Sequence, residues 1–598
     1  MPFLTNFDMK ALQIQSLKRK GMIRVKNHKQ GELFDPWAYL SPKRRELLEN
    51  SWAGLFRKHL LCELPIAELA PYFTENFGRP TKELHTALGV MVLQQSLDLA
   101  DAETVEQLAF NTQWHYALNI TEESDSAKYI CPRTLWNIRC IVIKKHLDTM
   151  LFDRTTNKLK TVFNVNTDKQ RIDSVHIKSN MRRLGRIGIF SKTIHKFLIN
   201  LKRSHNEHFE KVDKAITEKY VSQKALQCFS MVKPSESANT VKSLAADLFD
   251  LVQQFKDCAE VASMHSFKLL NRVLNEQCNV EISDDTTRVE IKKPKEIPSD
   301  SLQNPSDPDA TYSGHKGQGY QVQVMETYTG TDQKETKGAI LNLITHVEVQ
   351  KACESDSKAL IPAIESTKAR DLCPQQVTAD SLYGSDDNCE AAKERGVEVV
   401  SPAKNSGEKG EINLRDFYFA EDGHVRHCPK GDEPIFKKKK KTRFTQGFSL
   451  ETCAQCPLVS QCPVASGKRH YYLRYEEKAM RLAKRKSREN TAEFKDRYRW
   501  RAGIEATMSE YDRLTGVKRL RVRGFEAVRF CAILKAIGIN LFRATALRSR
   551  VKPHNPANRG ALSALYQAFL IFKELLRLLG AICGKRSIDQ LIVMGICP

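Results

Sequence analysis

Between Gly319 and Ala403 the sequence changes period several times, and that succession limits the fold more than any other feature. GYQVQVMETYTG (319–330) alternates apolar and polar residues, as a half-covered strand does. GAILNLITHVEVQ (338–350) is a second strand region, and KALIPAIESTKAR (358–370) has helical spacing. QQVTAD (375–380) is a short strand, DDNCEAAKERG (386–396) a helix closing on Gly396, and VEVVSPA (397–403) another strand. Strand, helix and strand at this spacing argue for an α/β layer.

The flanking segments have other textures. The first 160 residues read as helical. SPKRRELLENSWAGLFRKHLL (41–61) opens with Ser41 as N-cap and Pro42 at the first helical position. TKELHTALGVMVLQQSL (81–97) sets Leu84, Leu88, Met91 and Val92 at helical spacing, and the turn at 98–101 leads into a helix over 102–118. PRTLWNIRCIVIKKHLDTML (132–151) is a further helix. Two helices joined by a short turn and followed by a basic helix fit a DNA-reading helix-turn-helix or an ordinary helical bundle. TVFNVNTDKQRIDSVHIKS (161–179) mixes β-branched and polar residues and reads as strand, 205–296 is helix-leaning and polar, and 297–314 is a Pro/Ser/Asp-rich linker. Glu476–Leu514 reads as one long charged helical region, followed by helices near 524–548 and 559–579.

Charge narrows the class of partner. The 598 residues include 94 Lys and Arg against 71 Asp and Glu, a formal net charge of +23. Ala465–Arg550 holds 23 basic and 9 acidic side chains, net +14, and Met181–Ser204 holds 7 basic and no acidic ones. The stretch between the two basic blocks, His205–His315, is mildly acidic. That contrast points to a polyanion, nucleic acid before a membrane surface. An apolar content of 41% excludes a wholly disordered chain. No run of about 18 apolar residues is present, so no membrane-spanning helix is expected. The opening MPFLTNFDMKALQIQSLKRK lacks the apolar core of a secretory signal, and the expected setting is a reducing cytoplasm.

Three carboxylates stand out by context. Asp173 lies among strand formers in RIDSVHIKSN, and Asp380 ends a short strand, where ligands of open α/β sheets bind. Glu505 lies in YRWRAGIEATM, with Phe494, Tyr498, Arg501, Glu505 and Met508 spaced to share one helix face. Each alone reads equally as a turn former or a solvated, paired side chain. Together they are what a hard cation such as Mg²⁺ needs, and two such ions clamp the attacking and leaving oxygens of a phosphoryl transfer.

In this order the motifs carry a family resemblance. RIDSVHIKSN around Asp173, VTADSLYGSDDN around Asp380 and YRWRAGIEATMSEYDRLTGVKRLRVRG around Glu505 resemble the DDE transposases of bacterial insertion sequences. The last block is similar to the family's Tyr-x-x-Arg-x-x-x-Glu signature, here Tyr498, Arg501 and Glu505, and the resemblance spans roughly residues 60–545. It implies an RNase H-like mixed-sheet core, two divalent ions (Mg²⁺, with Mn²⁺ as an alternative) held by Asp173, Asp380 and Glu505, and no covalent protein–DNA intermediate. Tyr498 and Arg501 would position DNA or orient the Glu, or else pack and pair within the helix. One position departs from the pattern: the family often has Lys seven residues after the Glu, and here that residue is Asp512. Arg513, or Lys518 and Arg519 further on, would take the phosphate contact, joined by Arg521 and Arg523 in the basic segment after Glu505.

Four of the 16 cysteines cluster as Cys428, Cys453, Cys456 and Cys462. The CxxC with two outlying cysteines fits a four-thiolate Zn²⁺ site, or structural thiols kept reduced; disulfides do not suit a cytoplasmic protein. The cluster lies between Asp380 and Glu505, with the run Lys437, Lys438, Lys439, Lys440 and Lys441 inside it, suited to phosphate contacts or to solvation alone.

The expected organisation is a helical DNA-binding domain (1–160), an α/β core (161–403) with a helical insert at 205–296, a Cys/Lys-rich insertion (404–470), the returning core with its catalytic helix (471–550) and a helical tail (551–598). The expected activity is cutting DNA at terminal inverted repeats and joining those ends to a target, by a homodimer or higher oligomer on double-stranded DNA in the bacterial nucleoid, with no membrane partner. Two rivals are a metal-dependent nuclease on the same core that never joins strands, and an inactive zinc-stapled DNA-binding protein.

Overall fold

In the computed structural model, which describes residues 22–30, 35–74, 78–222, 229, 232–283, 286–403 and 412–551, the N-terminal helices gather around α1 (Leu84–Ser96). Every residue of α1 except Gln95 is buried, because the helix is apolar on all sides. Around it lie α2 (Asp101–Phe110), α3 (Pro132–Lys144) and α4 (Leu147–Phe163). Expected continuous helices are broken where a polar side chain caps the backbone or where a residue turns left-handed. The segment 41–61 divides at Ser51, whose hydroxyl accepts from Ala53 N–H, while Ser41 makes no such bond. The segment 102–118 divides at Asn111, which caps Thr112–Ala117. The segment 132–151 divides at His146, at φ +53°. Helix α4 continues to Phe163 and ends on left-handed Asn164, so the strand expected from residue 161 starts later.

That strand is β1 (Lys169–Lys178). A helical insertion follows immediately: α5 (Arg186–Ser204), α6 (Ser237–Phe255) and α7 (His265–Gln277), then the hairpin β2 (Cys278–Ser283) and β3 (Thr286–Ile291). Helices α5, α6 and α7 share a core that includes Phe190, Phe197, Leu248, Phe267 and Leu270. The insertion therefore begins near 186, not 205. The basic sequence of α5 hid an apolar stripe, Ile189, Phe190, Ile194, Phe197 and Leu201, with Lys192, Lys202 and Arg203 exposed.

The chain then completes the central sheet with β4 (Thr311–Ser313), β5 (Gly317–Thr327), β6 (Ile344–Lys351), β7 (Gln376–Thr378) and β8 (Glu398–Val400). Strand β5 pairs antiparallel with β1 on one side and with β4 and β6 on the other, while β1, β7 and β8 run parallel. Helices α8 (Leu360–Lys368) and α9 (Asp386–Glu394) cross between the parallel strands and bury Ile172, Met325, Leu360, Ile364 and Val377 in one cluster. The α/β layer is as expected from the sequence.

A second insertion separates the sheet from the last helices. It contains the hairpin β9 (Tyr418–Phe419) and β10 (Val425–His427), and a sheet of β11 (Phe436–Lys440), β12 (Arg443–Phe448), β13 (Ala465–Ser466) and β14 (Tyr471–Glu476) in the order β11-β12-β14-β13. Helix α10 (Glu477–Arg488) ties this module to α9 through Arg481–Asp386 at 2.6 Å and Lys478–Asp387 at 2.8 Å. The single helix expected over 476–514 is three: α10, then α11 (Ala492–Tyr498) capped by Thr491, a 3₁₀ turn at Arg499–Ala502, and α12 (Gly503–Thr515). Helix α13 (Phe525–Val551) follows. It is apolar and long enough to cross a membrane, but 78% of its apolar window is buried within the protein, as in a core helix. Residues Ala546–Pro598 form a separate unit, of which only 546–551 are described; the helix expected near 559–579 lies outside the described residues.

Candidate active site

Residues alternate faces along β1. Ile172 faces α8 and α9, while Arg171 and Asp173 face the Arg499–Thr515 segment. Asp173 sits opposite Val324 of β5, with its carboxylate 16% exposed. Arg501 reaches it from the turn before α12, with Nη2 donating to Oδ2 at 2.7 Å, and Nη1 of the same guanidinium donates to Glu505 Oε1 at 3.4 Å. Glu505, in the first turn of α12, is 69% exposed on its side chain. One arginine thus joins the first and third predicted carboxylates, and it occupies the place of a cation between them.

Asp380 follows β7, the parallel neighbour of β1. Its Oδ1 accepts from Leu382 N–H at 2.8 Å, which fixes its rotamer, and its carbonyl accepts from Ser401 Oγ at 2.6 Å. Burial raises the Asp173 pKa above the ordinary value, the Ser174 N–H and Arg501 oppose this, and the negative charges of Asp380 and Asp356 push it further up. Crowded carboxylates of this kind are what a divalent cation would relieve, and oxygen-only donors suit Mg²⁺. Tyr498 also feels the pair: burial raises its phenol pKa, Arg501 opposes this, and Asp380 and Asp173 add to it. Its ring stacks on Phe494 at 5.6 Å between centroids.

Asp356 was not singled out in the sequence. It lies in a 3₁₀ turn just before α8, accepts from Gln323 Nε2 at 2.8 Å, and has Lys316 Nζ at 3.8 Å. Gln323 in turn accepts from the Tyr383 hydroxyl. The local sequence ESDSKAL gives no sign of this, because only the sheet brings residue 356 to residue 173.

Helix α12, which carries Glu505, is held by buried charges. Arg171 sits opposite Glu326 on β5, donates to it at 2.7 Å, and donates through Nη1 to the Trp500 carbonyl at 2.7 Å. Thr507 of α12 and Arg543 of α13 donate to the other Glu326 oxygen at 2.7 and 2.8 Å. Arg497 on α11 reaches Gln376 of β7 at 2.8 Å and Glu398 of β8 at 3.0 Å. Gly503 permits the approach: a Cβ there would lie 2.1 Å from Arg171 Nη1.

The basic residues are arranged separately. Lys437–Lys441 lie on the edge strand β11 and its turn, all exposed, and Lys439 Nζ is 3.9 Å from Glu477. Arg513, Arg519, Arg521 and Arg523 are exposed, and Lys518 is half-buried. The Lys518 carbonyl accepts from Lys178 N–H at 2.9 Å, tying this segment to the end of β1, while Arg521 lies 3.6 Å from Asp98. Asp512, at the departing position, accepts from Lys518 N–H at 3.1 Å, so it shapes this loop.

Cys428, Cys453, Cys456 and Cys462 line one small cavity of about 30 Å³ with Phe417, Phe448 and Asp432. Burial pushes the Cys453 thiol up to about 11, and the charges of the other three cysteines add to it. Cys428 Sγ is 3.6 Å from Asp432 Oδ2. Among the described residues, the three-ligand group drawn within 4.8 Å is His28, Glu83 and His85, so the thiols share a cavity without being drawn that closely together.

Residues 427–545 match the family model described as Transposase DDE domain. This segment is a transposase DDE domain. The match contains Tyr498, Arg501, Glu505, Lys437–Lys441 and all four clustered cysteines, while Asp173 and Asp380 precede it. A DDE transposase is a DNA-processing, DNA-cutting enzyme that depends on divalent metal, and DNA is its partner. No curated protein and no solved structure matches the chain.

Proposed function

We propose that this transposase cuts DNA at the terminal inverted repeats of its element and joins the freed ends to target DNA, with Asp173, Asp380 and Glu505 holding two divalent ions. The observation that carries this reading is the bridge from Arg501, inside the matched domain, to Asp173, outside it. It supports extending the transposase site to β1, and Asp380 follows the strand parallel to β1. The sheet order β6-β5-β1-β7-β8, antiparallel and then parallel, supports an RNase H-like core.

The ions, Mg²⁺ or Mn²⁺, would polarise the scissile phosphate and the attacking and leaving oxygens. Asp173 would bind from β1 and Asp380 from just beyond β7, and Glu505 would bind from α12, whose position Glu326 sets through Arg171 and Thr507. Arg501 balances the Asp173 charge and orients Glu505. Water attacks in cleavage and a 3′-hydroxyl in joining, so no protein side chain forms a bond to DNA. The lysines of β11 and the arginines at 513, 519, 521 and 523 grip phosphates. The helices before residue 160 read the repeats, and two or more copies hold the paired ends. The four cysteines hold Zn²⁺ as the staple of the lysine-bearing module, a reading supported by their shared cavity.

The test is cleavage of a labelled duplex carrying the DNA that flanks the gene, with Mg²⁺, Mn²⁺ or EDTA. Metal-dependent cuts at the element boundary are expected, lost in Asp173→Ala, Asp380→Ala and Glu505→Ala while end binding persists. Normal cleavage by any one variant removes that residue from the site. Cuts without joining select the nuclease instead.

A further inference from the structure

The segment before the first helices is fastened to the start of α1 through its backbone. Thr81 N–H donates to the Met22 carbonyl at 2.7 Å, and Leu84 N–H donates to the Arg24 carbonyl at 3.0 Å. This brings His28 against two residues of the α1 N-terminus. His28 Nε2 lies 3.9 Å from Glu83 Oε1, and His85 Nδ1 lies 2.9 Å from the same oxygen. The two imidazoles meet edge to face with centroids 4.6 Å apart.

The Glu83 carboxylate is already fixed in place. Its Oε2 accepts from Thr86 N–H at 2.7 Å and its Oε1 from His85 N–H at 3.1 Å, so it caps α1. Helix capping accounts for Glu83 and leaves His28 unexplained. The His28 side chain is 3% exposed, and its Nε2 is buried with no hydrogen-bond partner. A separation of 3.9 Å is too long for a hydrogen bond to Glu83, but it suits two ligands of one ion. Ligands about 2.1 Å from a metal lie about 3–4 Å from each other.

Asn119 supplies the outer partner. Its amide nitrogen is 3.2 Å from His28 Nδ1, while its amide oxygen is buried without a partner. Amide oxygen and nitrogen exchange places by a half-turn. With the oxygen towards Nδ1–H, the proton stays on Nδ1 and the Nε2 lone pair faces Glu83. Metal-bound histidines are commonly held this way. A cavity of about 410 Å³ lined by His28, Glu83, Thr86 and Asn119 adjoins the group and has room for water as a further ligand.

We propose that His28, Glu83 and His85 bind a transition-metal ion of the zinc class and so staple the segment 22–30 to α1. Two imidazoles and one carboxylate select such an ion over Mg²⁺. The site is separate from the carboxylates of the DNA-cutting centre, so failure of either reading leaves the other standing.

The experiment uses the full chain, stripped with a chelator and titrated with Zn²⁺ and with Co²⁺. Wild type should bind one more Zn²⁺ per chain than His28→Gln. The Co²⁺ difference spectrum between them should show ligand-field bands without sulfur-to-cobalt charge transfer, which separates this site from the four cysteines. Asn119→Ala should weaken that ion ten- to hundredfold without abolishing it. Equal Zn²⁺ counts and identical Co²⁺ spectra for wild type and His28→Gln overturn the proposal. Should His28→Gln not fold, a wild-type Zn²⁺ titration unchanged in Asn119→Ala overturns it equally.

Discussion

Arg171 and Glu326 face each other across the β1–β5 ladder, and their buried ion pair is also where α12 is fastened. Glu326 is fully buried and receives Arg171, Arg543 and Thr507 together. Glu326→Ala would strand two guanidinium groups in the interior, at a cost of about 3–5 kcal/mol. Denaturant unfolding measures this, and a loss below about 1 kcal/mol would show that water reaches these groups.

Gly503 is where the backbone of α12 passes the Arg171 guanidinium. Gly503→Ala places a methyl group 2.1 Å from Arg171 Nη1, so either Arg171 leaves the Trp500 carbonyl or α12 shifts. A stability loss of about 1–3 kcal/mol is expected, with DNA cleavage falling further than end binding. Wild-type cleavage rates in this variant would mean that the position of α12 does not limit the reaction.

Asp356 adds negative charge beside Asp173 without belonging to the predicted triad. Asp356→Asn should weaken cation attraction by about 1 kcal/mol, the scale of one screened charge, or roughly fivefold. A Mg²⁺ titration of cleavage reads this as a higher half-maximal concentration with the maximum retained. An unchanged titration would confine Asp356 to its contacts with Gln323 and Lys316.

His115 sets a pH limit on the N-terminal helices. Its pKa is lowered first by burial, with the Leu108 carbonyl at 2.7 Å opposing this. The folded pKa lies below the unfolded value, so the unfolded chain takes the proton first as pH falls. Stability is therefore intact above about pH 6.5 and is lost as pH falls from there through the folded pKa. Thermal melts from about pH 8 to pH 5 should show this slope, flattened in His115→Gln; equal slopes would assign the acid sensitivity elsewhere.

The lysines of β11 are exposed and sit on a sheet edge. Replacing Lys437–Lys441 with Gln should make the slope of log binding constant against log salt shallower, by about 0.9 for each phosphate no longer neutralised. Stability should change little, since these side chains are exposed and only Lys439 makes a packing contact, over the Phe444 ring. A salt slope identical to wild type would place the DNA path away from this strand.

Much of the fold is readable in order along the chain. Alternation marks β5, helical spacing marks α1 and α8, and the blocks around Asp173, Asp380 and Glu505 point to a transposase by themselves. Such signals are local: backbone preference and side-chain period depend on neighbours a few residues away. The breaks at Ser51, Asn111 and His146 escape this reading because a single polar side chain or left-handed residue outweighs the apolar period around it. The extent of the first insertion escapes it because basic residues on one face of α5 mask the apolar stripe on the other.

The sequence by itself determined the α/β layer and the basic character, and it singled out three carboxylates as candidates. Only the tertiary structure decided what meets what. Arg501 reaches Asp173 across 328 positions of sequence, Glu326 holds α12, Asp356 joins the acidic centre, and His28 reaches Glu83. Those contacts depend on the register of β1 against β5 and the docking of segments remote in sequence, which are set by burying apolar faces together. No local pattern in the chain encodes the partner that such packing brings.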